Sequence, residues 1–173
     1  MRVDTERLSL RPISVQDLET THAYAADPEN TKYMMFLPNE SLAETEEWLR
    51  ASEAMWESPA PHHLEFAILL EGRHIGSVTL YPDDGNRMEL GWILHRDFWG
   101  RGYALEAARA AIDYARERLG ARGFYAQCDS ENEPSYRLME RLGMRRVSCV
   151  GGRKNRSMGD KERMELTYEM KID

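Results

Sequence analysis

Leu8 and Leu10 alternate with polar residues in "RLSLRP", the period of a half-buried strand, and Pro12 is expected to end it. The period then changes. Ser14 to Asp17, "SVQD", is a capping-box pattern that opens a helix running to about Ala26, where "DPEN" breaks it. "TKYMMF" reads as a short helix or turn. A second capping box, "SLAE" from Ser41, opens a helix with Leu42, Thr45, Trp48, Leu49 and Met55 on roughly one face. Alternation returns in the middle of the chain. "LEFAILLE" and "HIGSVTLYP" flank Gly72-Arg73, a hairpin signal, and "DDGN" turns into a third strand, "RMELGWILH". From Gly102 to Leu119 the pattern is helical. Ala104, Ala107, Ala108, Ala111, Ile112 and Ala115 make a small-residue stripe suited to close packing on a sheet, and Gly120 stands where a C-terminal glycine is expected. "RGFYAQCD" is another strand. Pro134 to Leu142 is a short helix closed by Gly143. "MRRVSCV" and "RMELTYEMKI" are the last strands, joined by "GGRKNRSMGD".

The order is β-α-α-β-β-β-α-β-α-β-β, an α/β (α+β) chain. No repeat, low-complexity segment or long linker interrupts it, and 173 residues suit one domain, 1–173. Composition changes the picture little. The net charge of -7 argues against a general nucleic-acid binder. Cys128 and Cys149 form no CxxC pair, so a zinc site is not expected, and two reduced thiols fit a cytoplasmic protein. "MRVDTERLSL" has no apolar signal-peptide core, and no apolar run has the length of a membrane span. No HExxH occurs, and no metal is expected.

The candidate chemistry lies at a strand-to-helix junction, "WGRGYA", Trp99 to Ala104. The first amides of a helix lack intrahelical partners, and the dipole adds partial positive charge there. Gly100 and Gly102 clear side chains from the approach, and Arg101 adds a cation. An anion, naturally a phosphate, suits such a corner, although a glycine turn with no ligand fits the same six residues. The pattern is neither GxxxxGK[ST] nor GxGxxG.

The longer stretch "ELGWILHRDFWGRGYALEA" resembles the acyl-CoA-binding core of the GCN5-related N-acetyltransferases, in which a strand leads into [Q/R]-x-x-G-x-[G/A] and a long helix. Trp99, Gly102 and Ala104 take the matching positions, with Trp99 departing from the usual Gln or Arg. "SENEPSYRLMERLGM" is similar to the family's second signature, with Asn132 and Ser135 in place and Leu142-Gly143-Met144 replacing Leu-Gly-Phe. The opening "TERLSLRPISVQDL" resembles the Rim-type branch, which acetylates ribosomal-protein N-termini. The resemblance covers nearly the whole chain. It implies a mixed, mostly antiparallel central sheet flanked by helices, acetyl-CoA as cosubstrate, and an amine acceptor such as a ribosomal-protein or peptide N-terminus, the alternatives being a small amine (an aminoglycoside or polyamine) or a CoA-binding sensor module without turnover. No nucleic acid or membrane partner is implied, and monomer and homodimer both stay open.

The resemblance also implies roles. Backbone amides of Gly100, Arg101, Gly102, Tyr103 and Ala104 would hold the diphosphate. Ile93 and Leu94, on a strand that carries a bulge in the family, would offer backbone groups to the pantetheine arm. Asn132 would bond that arm or position its helix. Glu89 is the candidate base, the alternative being an ordinary surface glutamate on an alternating strand. Ser135 is the candidate acid, the alternative being a helix cap. Many relatives place a Tyr where Met139 stands, which leaves Tyr136 as a second candidate. His95 precedes the turn and stays in the background. On the acceptor side, Tyr33, Met34, Met35 and Phe36 could line an apolar groove, with at least two of them in the core. Arg153, Lys154 and Arg156 read as a solvated hairpin tip that would favour a carboxylate-bearing partner.

Overall fold

The computed structural model describes residues 1–171. One eight-stranded sheet runs through it, made of β1 (Val3–Asp4), β2 (Leu8–Pro12), β3 (Leu64–Leu70), β4 (Arg73–Pro82), β5 (Arg87–Leu94), β6 (Gly123–Asp129), β7 (Arg145–Lys154) and β8 (Glu162–Lys171). Their order is β1-β2-β3-β4-β5-β6-β8-β7. Every neighbouring pair is antiparallel except β5–β6, which is parallel. The mixed, mostly antiparallel sheet is therefore as expected. The parallel pair needs a crossover, and the long helix α4 (Tyr103–Leu119) supplies it.

One face of the sheet carries α1 (Leu18–Ala25) and α3 (Leu42–Met55), with the short α2 (Pro28–Thr31) between them in the chain. The other face carries α4 and α5 (Glu133–Arg141). Phe66, Ile68, Val78, Leu80, Met88 and Leu90 pack on the α4 side, where Ala107, Ala108, Ala111 and Ala115 are fully buried. At these four positions only a methyl group separates the helix from the strands, so a larger residue there would overpack the core at a cost of about 1–3 kcal/mol. Gly120 ends the helix in the left-handed region, φ 69°.

Four local expectations change. "DPEN" starts an element as well as ending one: Asp27 accepts from the Glu29 amide at 3.0 Å and Pro28 occupies the first turn of α2. The β3–β4 turn centres on Glu71 and Gly72, both with positive φ, one residue earlier than Gly72-Arg73. An additional edge strand, β1, precedes the first one expected. In α3, Thr45, Leu49 and Ser52 face the sheet, whereas Leu42 and Trp48 are exposed. The reason is that α3 covers a polar patch: Ser52 meets Glu65 and His63, and Thr45 meets His22.

Candidate functional site

β5 and β6 pair only at Arg87↔Gly123, Met88↔Phe124 and Glu89↔Tyr125. Beyond Glu89 the strands part. β6 stays with β8 over seven residue pairs, while β5 stays with β4. The register between β4 and β5 has no shift from Gly76↔Leu94 to Pro82↔Met88. No bulge in "GWILH" displaces β5 from β4; the sheet opens as a fork between β5 and β6. The chain places two chemistries on its two faces.

Glu89 lies on the α1–α3 face, because its neighbours Met88 and Leu90 point into the α4 core. Tyr81 on β4 and Tyr125 on β6 are its direct cross-strand partners. Burial raises the Glu89 pKa, and the nearby Glu165 raises it further. The Tyr125 hydroxyl and Arg153 pull against that rise without cancelling it. Tyr81 is pushed up to about 12, chiefly by burial and by the carboxylates Glu65 and Glu89. A half-buried carboxylate with a raised pKa, between two neutral phenols, is chemically suited to taking a proton.

Ser135 lies on the opposite face, beside Cys128 of β6. Burial pushes the Cys128 thiol up to about 11, so it stays protonated at neutral pH. Ser135 is not the helix cap: Asn132 is, and its carbonyl accepts from the Ser135 and Tyr136 amides at 3.0 and 3.2 Å. The Asn132 side chain makes no capping bond. Met139 is fully buried in the core. Tyr136 lines a groove of about 590 Å³ between α5 and the β7–β8 pair.

At the end of β5 the chain makes a 3-10 turn, Arg96–Phe98, and then the glycine corner. Gly100 and Gly102 have φ of 72° and 80°. A Cβ on Gly100 would meet nothing within 4 Å, so that approach is bare. Gly102 is the residue before α4, and its carbonyl takes the Glu106 amide at 3.1 Å. The amides of Tyr103 and Ala104 come before that first helical bond. A carboxylate in the first turn, Glu106, would repel an anion here. Arg7 prevents this, pairing with Glu106 at 2.6 Å, donating to the Arg101 carbonyl at 3.0 Å and lying 4.6 Å over the Tyr103 ring. Burial alone would raise the Glu106 pKa, but bonds from Thr5 and Arg7 hold it low. From Arg101 and Gly102 a groove of about 980 Å³ runs along α4, walled by residues 1–7. His95 accepts from the Asp97 amide at 3.3 Å and caps the 3-10 turn.

At Leu94, one of the two backbone groups expected to be on offer is taken. Its carbonyl accepts from Asn30 Nδ2 at 2.8 Å and from Trp99 Nε1 at 2.9 Å. Ile93 is half-buried opposite Ser77.

The acceptor side differs most from expectation. None of Tyr33, Met34, Met35 and Phe36 is in the core; Phe36 is 80% exposed. Their loop is held by main-chain bonds to the β7–β8 hairpin instead of by apolar burial. Arg153 donates to the Tyr33 carbonyl at 2.9 Å, and the Arg156 amide to that of Met34 at 3.1 Å. Nor is the tip a solvated cationic patch. Arg153 is buried and paired with Glu165 at 2.8 Å. Arg156 pairs with Glu44 and Glu40 at 2.8 and 3.2 Å. Lys154 remains exposed, 3.7 Å from Asp160.

Residues 7–145 match the family model described as the acetyltransferase (GNAT) domain. The chain belongs to the GNAT acetyltransferase family. Among its relatives, an uncharacterised N-acetyltransferase of Bacillus subtilis, YnaD, is 29% identical over 149 residues, 84% of each chain. A GNAT-family acetyltransferase structure from Bacillus anthracis superposes with a TM-score of 0.82 at 27% identity, covering 99% of this chain and 98% of that one. The structure of RimL, a ribosomal L7/L12 α-N-protein acetyltransferase in complex with coenzyme A, superposes with a TM-score of 0.88 at 15% identity, covering 100% and 99%.

Within this GNAT chain, several residues at the site carry no sequence signal of their own. Asn30, Arg7 and Arg153 reach it from distant segments. Tyr81 and Tyr125 were legible in principle, since each shares the alternation phase of Glu89 once the strand order is known.

Proposed function

We propose that this GNAT domain, residues 1–173, transfers an acetyl group from acetyl-CoA to a primary amine in the cytoplasm, with a protein or peptide N-terminal α-amine as acceptor. The observation that carries this reading is the fork, with Glu89 on one face, Ser135 on the other and the bare glycine corner beyond. Gly100, Arg101, Gly102, Tyr103 and Ala104 fit a diphosphate, because the approach at Gly100 is empty and the local carboxylate is neutralised by Arg7. Acetyl-CoA supplies an activated acyl group and a thiolate leaving group. Among the described residues no helix is long and apolar enough to cross a membrane.

The chain's own residues then divide the work. Glu89 takes the proton of the ammonium group, which is mostly charged at neutral pH. The freed nitrogen attacks the thioester carbonyl; the C–N bond forms and the C–S bond breaks. Main-chain N–H groups on the β6-facing edge of β5 can meet the charge that develops on the carbonyl oxygen. Ser135 gives a proton to the departing sulfur, and it regains one from solvent, to which the nitrogen sheds its second proton as the amide forms. Ile93 flanks the arm of the cosubstrate, whereas Leu94 acts through a carbonyl already engaged. Asn132 sets the start of α5 and hence the place of Ser135.

The RimL structure favours the N-terminal α-amine, as RimL acts on a protein N-terminus. One observation favours a second reading, a small polycationic amine. Arg153 is paired with Glu165 inside the fold and Arg156 with Glu40 and Glu44 at its surface, so no free guanidinium among them selects a carboxylate, while Glu89 faces the acceptor side. The test is thiol release from acetyl-CoA across N-terminal peptides and di- and polyamines. Turnover fastest with peptides supports the first reading, and turnover confined to polyamines the second. No thiol release with any amine overturns both.

A further inference from the structure

The four-residue helix α2, "PENT", has no large apolar residue with which to dock. Its buried side chains are Asn30 and Thr31. It is attached through polar groups instead. Asn30 Nδ2 donates to the Leu94 carbonyl and Asn30 Oδ1 accepts from the Arg96 amide, both at 2.8 Å. The amide thus pairs with the main chain as an extra strand would, at the point where β5 has left β6 and reaches the last residue of its β4 ladder. Asp27, from the same turn, adds an ion pair to Arg96 at 3.3 Å. Trp99 Nε1 meets the same Leu94 carbonyl from the far side of the 3-10 turn. The direction in which the chain enters the glycine corner is therefore fixed around one carbonyl. Immediately after Asn30 comes the loop 32–36, stapled to the β7–β8 hairpin by Arg153, Arg156 and Ser157.

We propose that Asn30 is a positioning residue that ties the acceptor loop to the diphosphate-binding corner, so that one side chain sets the placement of both substrates. This rests on the acetyl-CoA reading above. Asn30 touches neither substrate; it acts through the Leu94–Arg96 main chain. A buried amide with both its bonds satisfied is costly to remove, because the Arg96 N–H loses its partner and the Leu94 carbonyl keeps only Trp99.

The test uses the full chain and coenzyme A, followed by calorimetry, with steady-state kinetics on the best amine. Asn30→Ala is expected to weaken coenzyme A binding about tenfold and to raise the amine KM, with a smaller fall in kcat. Asn30→Asp keeps an acceptor for the Arg96 amide and loses the donor to Leu94; it is expected to fall between wild type and Asn30→Ala, and it carries the test should the alanine variant not fold. Thr45→Val, at a buried site under α3 remote from the corner, serves as a control for stability loss, expected to lower Tm with the coenzyme A Kd unchanged. If both Asn30 variants lower Tm but bind coenzyme A as wild type does, the positioning role is overturned. If wild type itself does not bind coenzyme A, the cofactor reading fails first, and the two failures are thereby told apart.

Discussion

Glu89 and Tyr125 face each other across the last residue pair of the parallel ladder, directly before β5 and β6 separate. The phenol interaction opposes the rise in the Glu89 pKa that burial and Glu165 cause. A base works only when deprotonated, so activity falls as pH drops through that raised pKa. Tyr125→Phe removes a lowering influence and is expected to move the acid limb of the kcat–pH profile to higher pH. Glu89→Gln is expected to cut kcat by about 10²–10³ and abolish the limb, with acetyl-CoA affinity unchanged. An unchanged limb in Glu89→Gln would assign the proton elsewhere.

Gly102→Val places a branched side chain at φ 80°, in a region such residues avoid at a cost of about 1–3 kcal/mol. Coenzyme A affinity is expected to fall sharply. Gly100→Ala is the sharper probe: at φ 72° it strains the backbone by about 1 kcal/mol, but its methyl would meet no protein atom and would stand in the anion's path. Calorimetry is expected to show a larger loss of binding than of stability; equal Kd values in the variant and wild type would move the phosphates elsewhere.

Removing Arg153 leaves Glu165, the Asn155 side-chain oxygen and the Tyr33 carbonyl without their guanidinium. Arg153→Ala is expected to cost about 3 kcal/mol or more in urea unfolding, the usual price of stranding one half of a buried pair. Arg153→Met, which fills the volume but makes no bonds, is expected to recover little, because three polar partners remain unpaired. Full recovery by Met would show packing, not pairing, to be the contribution.

His74 is buried, with Nδ1 2.6 Å from the Thr20 hydroxyl, and burial lowers its pKa against the opposing pull of Asp17. A group with a depressed folded pKa stabilises above its unfolded value, about 6.5, and loses that contribution as pH falls through the folded one. Unfolding free energy is therefore expected to decline on acidification from about pH 6.5. Half-buried His63 acts in the same direction. His74→Asn is expected to flatten part of this slope, measured by denaturant titration at several pH values; an unaltered slope would exclude His74 as a source.

The elements that periodicity carries were largely legible in the chain. The alanine stripe of α4, its two flanking glycines and the three-strand meander each follow from side-chain size and spacing. The glycine corner is marked by its own residues, whereas Glu89 and Ser135 are singled out only through the family resemblance. What stayed hidden was the partnering of charges. Arg153 and Arg156 lie in a polar hairpin and read as solvated, yet their carboxylate partners are contributed by β8 and α3, and only the tertiary fold brings these together. The expectation that at least two of Tyr33, Met34, Met35 and Phe36 lie in the core fails for a related reason. Their loop is fixed through its carbonyls, so its apolar side chains are left outside. The exposed side of Trp48 follows from a buried carboxylate, Glu65, beneath α3, which no helical pattern records.

The fork between β5 and β6 has a geometric consequence. A sheet normally walls one side of a protein off from the other, but where two of its strands diverge, groups from both sides can address the same point. With Glu89 and Ser135 on opposite sides, a bulky acceptor and a nucleotide-bearing donor need no common doorway. On the proposed reading each can arrive while the other is in place, which allows transfer in a single ternary encounter, with the loop after Asn30 rather than the donor bounding the acceptor's size.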